Sequence, residues 1–228
     1  MDDKVDIERY LSKKDLDLGR LIEIVRAARG TSLRPPPSTD NPFQALVRAV
    51  IYQRVSEASG STVYSRLEEI AGGKLKPAKI LALTLGRIQK AGLAQSKARY
   101  ITNLAEWFDA NPKAAKKLPA MSDDEIIEAL TVISGIGLWT VNVLLVFNLG
   151  RLDVSPAPDN VIRRIAQIVY GLPALPSVAF VEKKTELWRP YRSIASMYLY
   201  QATKLKVTPA DIRRGHLKID HAGIRSGT

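Results

Sequence analysis

Apolar residues recur along most of this chain at spacings of three and four, the period of a helix with one buried face. Leu18, Leu21, Ile22 and Val25 predict a first amphipathic helix that Gly30 ends, followed by a loop over residues 34–40. Phe43, Leu46, Val47, Val50 and Ile51 form a buried stripe, with Asp40 or Asn41 as cap and Pro42 in the first turn. A shorter helix is expected from Ser59 to Ile70, broken by Gly72-Gly73 before a piece near Pro77. Gly92 to Ser96 leads into a helix with Ala98, Ile101, Leu104, Ala105 and Phe108 inside, closed by Asn111-Pro112. Ser122-Asp123-Asp124-Glu125 is a capping box that opens the next helix, with Ile126, Ile127 and Leu130 inward. Val141, Leu144 and Leu145 continue a helix to Gly150, and residues 151–158 are a proline-stiffened connection. A further helix starts at Asp159 with Val161, Ile162, Ile165, Ile168 and Val169. The last strong one is expected near Pro190, presenting Tyr191, Ile194, Ala195, Tyr198 and Leu199. The basic, glycine-containing tail over 209–228 reads as poorly ordered. With no strand alternation or internal repeat, the fold class is all-α.

Composition narrows the partner more than the fold. The 228 residues, 46% hydrophobic and 25% charged, suit one domain, or two lobes sharing a cleft. A net charge of +11 and a pI near 9.8 point to an anionic partner: nucleic acid first, an acidic membrane surface second, or a solvated basic surface with no specific role. The absence of cysteine excludes disulfides, thiolate metal sites and iron–sulfur clusters. The two histidines, His216 and His221, are a poor basis for a metal site. No apolar run approaches the roughly 20 residues needed to cross a bilayer. The start, Met1-Asp2-Asp3-Lys4, does not read as a signal peptide, so an intracellular protein is expected.

Candidate chemistry centres on Ser134-Gly135-Ile136-Gly137-Leu138 and on the segment ending Pro158-Asp159. Two glycines around one aliphatic residue, set between helices, predict a hairpin that needs a residue without Cβ at both turns and leaves amides facing outward to suit a phosphate. A plain helix–helix turn is the other reading. Asp159 sits at an N-cap, where helix amides favour its ionised form. It is either a cap alone or a carboxylate able to stabilise a cation or activate water. Trp139, Tyr52, Trp188 and Tyr191 are core residues or the walls of a stacking pocket for an extruded base.

The run Leu130-Thr-Val-Ile-Ser-Gly-Ile-Gly-Leu-Trp-Thr-Val-Asn142, followed by Asp153-Val-Ser-Pro-Ala-Pro-Asp159, resembles the helix-hairpin-helix and Gly/Pro-Asp signature of base-excision DNA glycosylases. Within them it is most similar to the alkylation-specific 3-methyladenine DNA glycosylases of type II. Residues 41–56, 92–101 and 188–195 agree in the family's order, and the similarity spans residues 40–205. The resemblance implies two helical lobes with an active cleft between them and a helix-hairpin-helix over about residues 122–150. It also implies that the family's extra N-terminal β-containing domain is missing, since only residues 1–40 precede the first matching helix.

Site roles follow from the same resemblance. Asp159 matches the catalytic aspartate, which stabilises an oxocarbenium-like sugar and helps water attack. Trp139 stands where bifunctional relatives carry a Schiff-base lysine, implying hydrolysis without strand cleavage. Gln95 aligns with the wedge that fills the gap left by a flipped nucleotide, although the alkylation enzyme's wedge is apolar. Ser96, Gly135, Ile136, Gly137 and Thr140 fall on the DNA side. Gln53 and Tyr52 fall with Trp139, Trp188 and Tyr191 at the substrate pocket, with Arg54 replacing the second glutamine of a Gln-Gln pair. The carbonyls of Thr131, Ile133 and Ile136 match those that hold a monovalent Na+ or K+, and no other cofactor is implied.

The expected activity is a monofunctional glycosylase on double-stranded DNA containing damaged bases. The lesions are 3-methyladenine and 7-methylguanine, with hypoxanthine and 1-methyladenine as further candidates. A monomer in the cytoplasm, associated with the nucleoid and not with membrane, is expected. A glycosylase for uracil or an oxidised base and a non-catalytic DNA-binding module are the competing readings.

Overall fold

The computed structural model describes residues 6–35 and 41–217. Among these residues the chain is helical with no strand, as the periodicity predicts. In chain order the helices are α1 (Ile7–Lys14), α2 (Leu16–Arg29), α3 (Pro42–Tyr52), α4 (Glu57–Ile70), α5 (Pro77–Leu81), α6 (Leu85–Gln89) and α7 (Gln95–Ala110). They continue as α8 (Pro112–Lys117), α9 (Asp123–Thr131), α10 (Leu138–Phe147), α11 (Asn160–Val169), α12 (Val178–Thr185), α13 (Arg192–Lys204) and α14 (Pro209–Arg214). They divide into two compact units, a central one over Pro36–Gly150 and a second made of Met1–Pro35 with Arg151–Thr228.

In the central unit α7 is the long axis. Its stripe of Ala98, Ile101, Leu104, Ala105 and Phe108 is buried and packs on α3 and α5. Phe108 meets Phe43 of α3 edge to face, ring centroids 5.3 Å apart. The start of α3 is fixed by Asn41, whose side chain accepts from Gln44 N–H while Gln44 answers to the Asn41 amide, with Pro42 in the first turn. Asn41 is therefore the cap; Asp40, with the rest of the predicted loop over 36–40, lies outside the described residues. Helix α9 opens on the predicted capping box at Ser122 and Glu125 and leads into α10, which rests against α3.

The other unit closes a second core from α1, α2, α11, α13 and α14, with Leu18, Leu21, Ile22, Ile162, Ile165, Tyr198 and Leu199 in its interior. Each fully buried aliphatic side chain there contributes about 1.5–3 kcal/mol relative to exposure. The carboxylate of Asp15 organises one edge of it. Oδ1 caps α2 through Leu18 N–H, and Oδ2 accepts from Tyr170 OH at 2.5 Å and Trp188 Nε1 at 3.0 Å. Burial, and then the negative charge of Asp15, raise the Tyr170 pKa well above the ordinary phenol value.

The proline-stiffened connection is held to α13. The Arg192 guanidinium grips Asp153 through Nε to Oδ1 at 2.8 Å and through Nη2 to the backbone oxygen at 2.7 Å. Ser193 N–H donates to Leu152 O, and Val154 N–H donates to Ser193 Oγ. These bonds fix the path of the chain just before Asp159.

The departures from the periodic reading concern short elements. Helices α1, α6, α8 and α12 carry too few turns to show a stripe. The segment from Pro209, read as poorly ordered, instead forms α14 as far as Arg214. A Thr208–Asp211 capping box and Pro209 at the first position start it, and Ile212 is buried. Residues 218–228 of that tail lie outside the described residues.

Candidate functional site

The bend between α9 and α10 is built by one glycine, not two. Gly135 has φ +92°, a left-handed conformation that side chains rarely adopt, and a Cβ built there would lie 2.0 Å from the ring of Tyr100 on α7. Tyr100 thus occupies the place a side chain would need. The Asn103 amide, one turn further along α7, donates to Ser134 O at 3.2 Å and pins the same bend. Gly137 differs. Its φ of −91° and ψ of 174° are open to any residue, and a Cβ there would meet nothing within 4 Å. The expectation that both turns require a missing Cβ therefore fails at Gly137. What its glycine leaves is an exposed N-cap without a side chain, so α10 starts with no side-chain cap on its first amides. Ile136, between the glycines, is buried, whereas Ser134 and Leu138 are exposed.

The end of α3 lies against the first turn of α10. Gln53 Nε2 donates to Thr140 Oγ1 at 3.1 Å, bringing together two residues expected at the site. Gln53 is held in turn by Lys97 of α7, whose ammonium donates to the carbonyls of Ile51 at 2.8 Å and Gln53 at 2.7 Å. These are C-terminal carbonyls that a helix leaves unpaired, and a lysine is well suited to meet them. Partial burial pulls the Lys97 pKa below the ordinary lysine value. Beyond this clamp Arg54 turns left-handed, with φ +57°, at a helix end where glycine is commoner. Tyr52 is half-buried and lays its ring on Gly60 of α4, where a Cβ would come within 2.8 Å.

Asp159, in the other unit, is the N-cap of α11 and is 8% exposed. Oδ1 accepts from Val161 N–H at 2.6 Å and Ile162 N–H at 3.3 Å, and Oδ2 accepts from Tyr200 OH at 2.5 Å. Two amides at the first turn of a helix and a phenol hold both oxygens and fix the orientation of the side chain. Such a group can face a developing positive charge without first reorganising.

The remaining expected residues divide. Gln95 and Ser96 are exposed at the start of α7 and line one concavity with Ser134. Trp139 is half-buried on α10. Tyr191 is half-buried at the start of α13, edge to face with Tyr10 at 5.4 Å. Trp188 is a correction: it is 0% exposed, and its indole N–H is committed to Asp15, so it is a core residue and not a pocket wall. Thr131, Ile133 and Ile136 bracket the bend, and Ile133 O accepts from Ile136 N–H at 2.9 Å. Among the described residues no group of three or more His, Cys, Asp or Glu is placed to hold a metal, and no helix is long and apolar enough to cross a membrane. Lys97, Tyr100, Asn103 and Tyr200 were not foreseen, because their roles depend on partners far away in the chain.

A helical protein with one glycine-built hairpin and, after a tethered connection, a helix capped by a tightly held aspartate offers a backbone docking element and a fixed carboxylate. The model of the HhH-GPD superfamily base excision DNA repair proteins matches residues 47–190. The chain belongs to that superfamily. It is similar to the DNA-3-methyladenine glycosylase 1 of Schizosaccharomyces pombe, 32% identical over 203 residues that cover 87% of each chain. It is also similar to the alkylbase DNA glycosidase-like protein mag2 of the same yeast, 28% identical over 202 residues, 87% of this chain and 93% of that one. Among solved structures, the S. pombe 3-methyladenine DNA glycosylase in complex with abasic DNA shares the fold with a TM-score of 0.77. It is 29% identical, over 88% of this chain and 98% of that one.

The two hairpin glycines should respond differently to alanine. Gly135→Ala combines a left-handed backbone with a clash against Tyr100 and should cost about 3 kcal/mol of stability. Gly137→Ala loses only a favourable N-cap and should cost less than about 1 kcal/mol. Thermal or urea unfolding of both variants checks this; equal losses would contradict the single-glycine bend.

Proposed function

We propose that this chain is a monofunctional DNA glycosylase that hydrolyses the N-glycosidic bond of alkylated purines in duplex DNA, as the first step of base excision repair. The observation that carries the reading is the Asp159 carboxylate. It is held by the first amides of α11 and by Tyr200, and it ends the segment that resembles the Gly/Pro-Asp signature, within the residues that the superfamily's model matches. The relatives named above, a DNA-3-methyladenine glycosylase and an alkylbase DNA glycosidase-like protein by name, support the substrate class.

In this mechanism the damaged nucleotide is extruded from the duplex. The bond between the anomeric carbon and the base nitrogen breaks, and the electron pair leaves with the base. Asp159 stabilises the positive charge left on the sugar and accepts a proton from the water that attacks the anomeric carbon. A purine alkylated at N3 or N7 already carries positive charge, so it is a good leaving group. Trp139, Tyr52 and Tyr191, the aromatic residues expected to attract it, are each half-buried, and a cation over such a ring gains about 0.5–2 kcal/mol. The leading substrates are 3-methyladenine and 7-methylguanine, with hypoxanthine and 1-methyladenine as further candidates. Trp139 in place of a Schiff-base lysine gives hydrolysis alone, and Gln95 is the wedge. The protein acts as a monomer on nucleoid DNA in the cytoplasm.

The hairpin supplies the grip on the backbone. Gly137, Leu138 and the open start of α10 offer amides to a phosphate, with no side chain in the way. The carbonyls of Thr131, Ile133 and Ile136 are neutral oxygen donors at one bend. They fit a monovalent Na+ or K+ better than a transition metal, and such an ion would add positive charge beside the phosphate. No step of the reaction runs through it.

Duplexes that each contain one defined lesion, incubated with the protein and assayed for released base, test the reaction. Release of 3-methyladenine and 7-methylguanine is expected, with strand breaks only after heat or alkali. Release confined to uracil or an oxidised purine, or a covalent adduct trapped by borohydride, would overturn the assignment. Gly137→Ala, which the fold tolerates, should weaken binding to damaged and undamaged duplexes alike. A loss confined to damaged DNA in a filter-binding or anisotropy titration would contradict the backbone role.

A further inference from the structure

The outward face of α7 carries a second pattern beside its buried stripe. Ser96, Arg99, Tyr100 and Asn103 fall at i, i+3, i+4 and i+7 and so share one side of the helix. Together with Gln95 and Ser134 they line a concavity of about 490 Å³ against the hairpin. It is a built feature. Gly135 has no Cβ, so Tyr100 and the face it belongs to come flush with the bend. The Asn103 amide bonded to Ser134 O closes the far end.

The lining has one sign of charge. Arg99 is exposed and makes no ion pair among the described residues, and no acidic residue lines the concavity. Hydroxyl and amide groups of Ser96, Ser134, Gln95 and Asn103 add hydrogen-bonding capacity around it. Helix α7 is 16 residues long and starts at the rim with no side-chain cap, so the positive end of its dipole adds to the Arg99 charge. The basin is open and larger than a free inorganic anion requires. It suits a phosphodiester with its flanking sugar.

We propose that this concavity is a seat for a backbone phosphate of duplex DNA, with Arg99 as its cation, separate from the amides of the hairpin. The inference rests on the glycosylase reading for the identity of the polyanion and extends it to a site on the other flank of the bend. Arg99 pairs with the phosphate as a planar fork, and Ser96 or Ser134 donates to the remaining oxygen. Base identity plays no part, so the contact serves damaged and undamaged duplexes equally.

The test is duplex affinity as a function of salt for the wild type, Arg99→Gln and Arg99→Lys, on one undamaged duplex and on the same duplex with a single 7-methylguanine. Loss of one neutralised phosphate should lower the slope of log Kd against log [NaCl] by about 0.9 in Arg99→Gln, by the same amount on both duplexes. Arg99→Lys should keep the wild-type slope, since it retains the charge. Circular dichroism melts verify that both variants are folded; destabilised variants are replaced by Ser96→Asp, which should weaken both duplexes by putting a negative charge in the seat. A wild-type slope in Arg99→Gln, or a loss confined to the 7-methylguanine duplex, would overturn the proposal. If that occurs while the wild type releases methylated bases, the glycosylase reading survives; if the wild type neither binds duplex nor releases a base, both readings fail.

Discussion

A carboxylate that is to meet a short-lived positive charge has to be fixed before the charge appears, and the hydrogen bonds to Asp159 give it the fixed geometry that the proposed reaction requires. Two amides of α11 take one oxygen and the Tyr200 hydroxyl takes the other. Holding that geometry requires α11 to start at Asp159 and α13 to carry Tyr200 at the right height. The connection before Asp159 must also follow one path, which the Arg192–Asp153 pair and the Ser193 hydrogen bonds fix. The core beneath α11 and α13 serves this geometry as much as it serves stability.

The same unit holds an instructive parallel. Asp15 also caps a helix with one oxygen and accepts a tyrosine hydroxyl with the other, yet its third partner is the indole of a fully buried tryptophan. A capped aspartate bonded to a tyrosine is therefore not by itself a reactive group. What sets Asp159 apart is its place after the hairpin and the connection, within the residues that the model of the base excision DNA repair superfamily matches. The chemistry is read from that order together with the geometry.

Much of this was legible in the amino-acid sequence, where one helix face repeats over several turns. The stripes of α2, α3, α7 and α11, and the caps at Asn41, Ser122 and Asp159, depend only on neighbours a few residues away, so spacing reveals them. Helices α1, α6, α8 and α12, of eight residues or fewer, gave no such signal, and α14 was hidden by its basic composition although Thr208 and Asp211 form a capping box. The site was legible as a set of residue types but not as a set of roles. Gly135 and Gly137 look equivalent in Gly-Ile-Gly until Tyr100 is seen to fill the space beside only one of them. Trp188 looks like any other candidate aromatic wall until its burial beside Asp15 is seen. Lys97 and Tyr200 act through partners on other helices, which no local pattern encodes.

The central claim is that the negative charge of Asp159, rather than its capping, breaks the glycosidic bond. Asparagine keeps an oxygen for the amides of Val161 and Ile162 and removes the charge, so it separates the two roles. The most direct measurement is single-turnover release of 7-methylguanine by Asp159→Asn at saturating enzyme, beside its melting temperature and duplex affinity. The account predicts base release slowed by at least about 100-fold, the range set by losing a general base or a charge-stabilising group, in a protein that melts and binds DNA nearly as the wild type does. Release at the wild-type rate would contradict it.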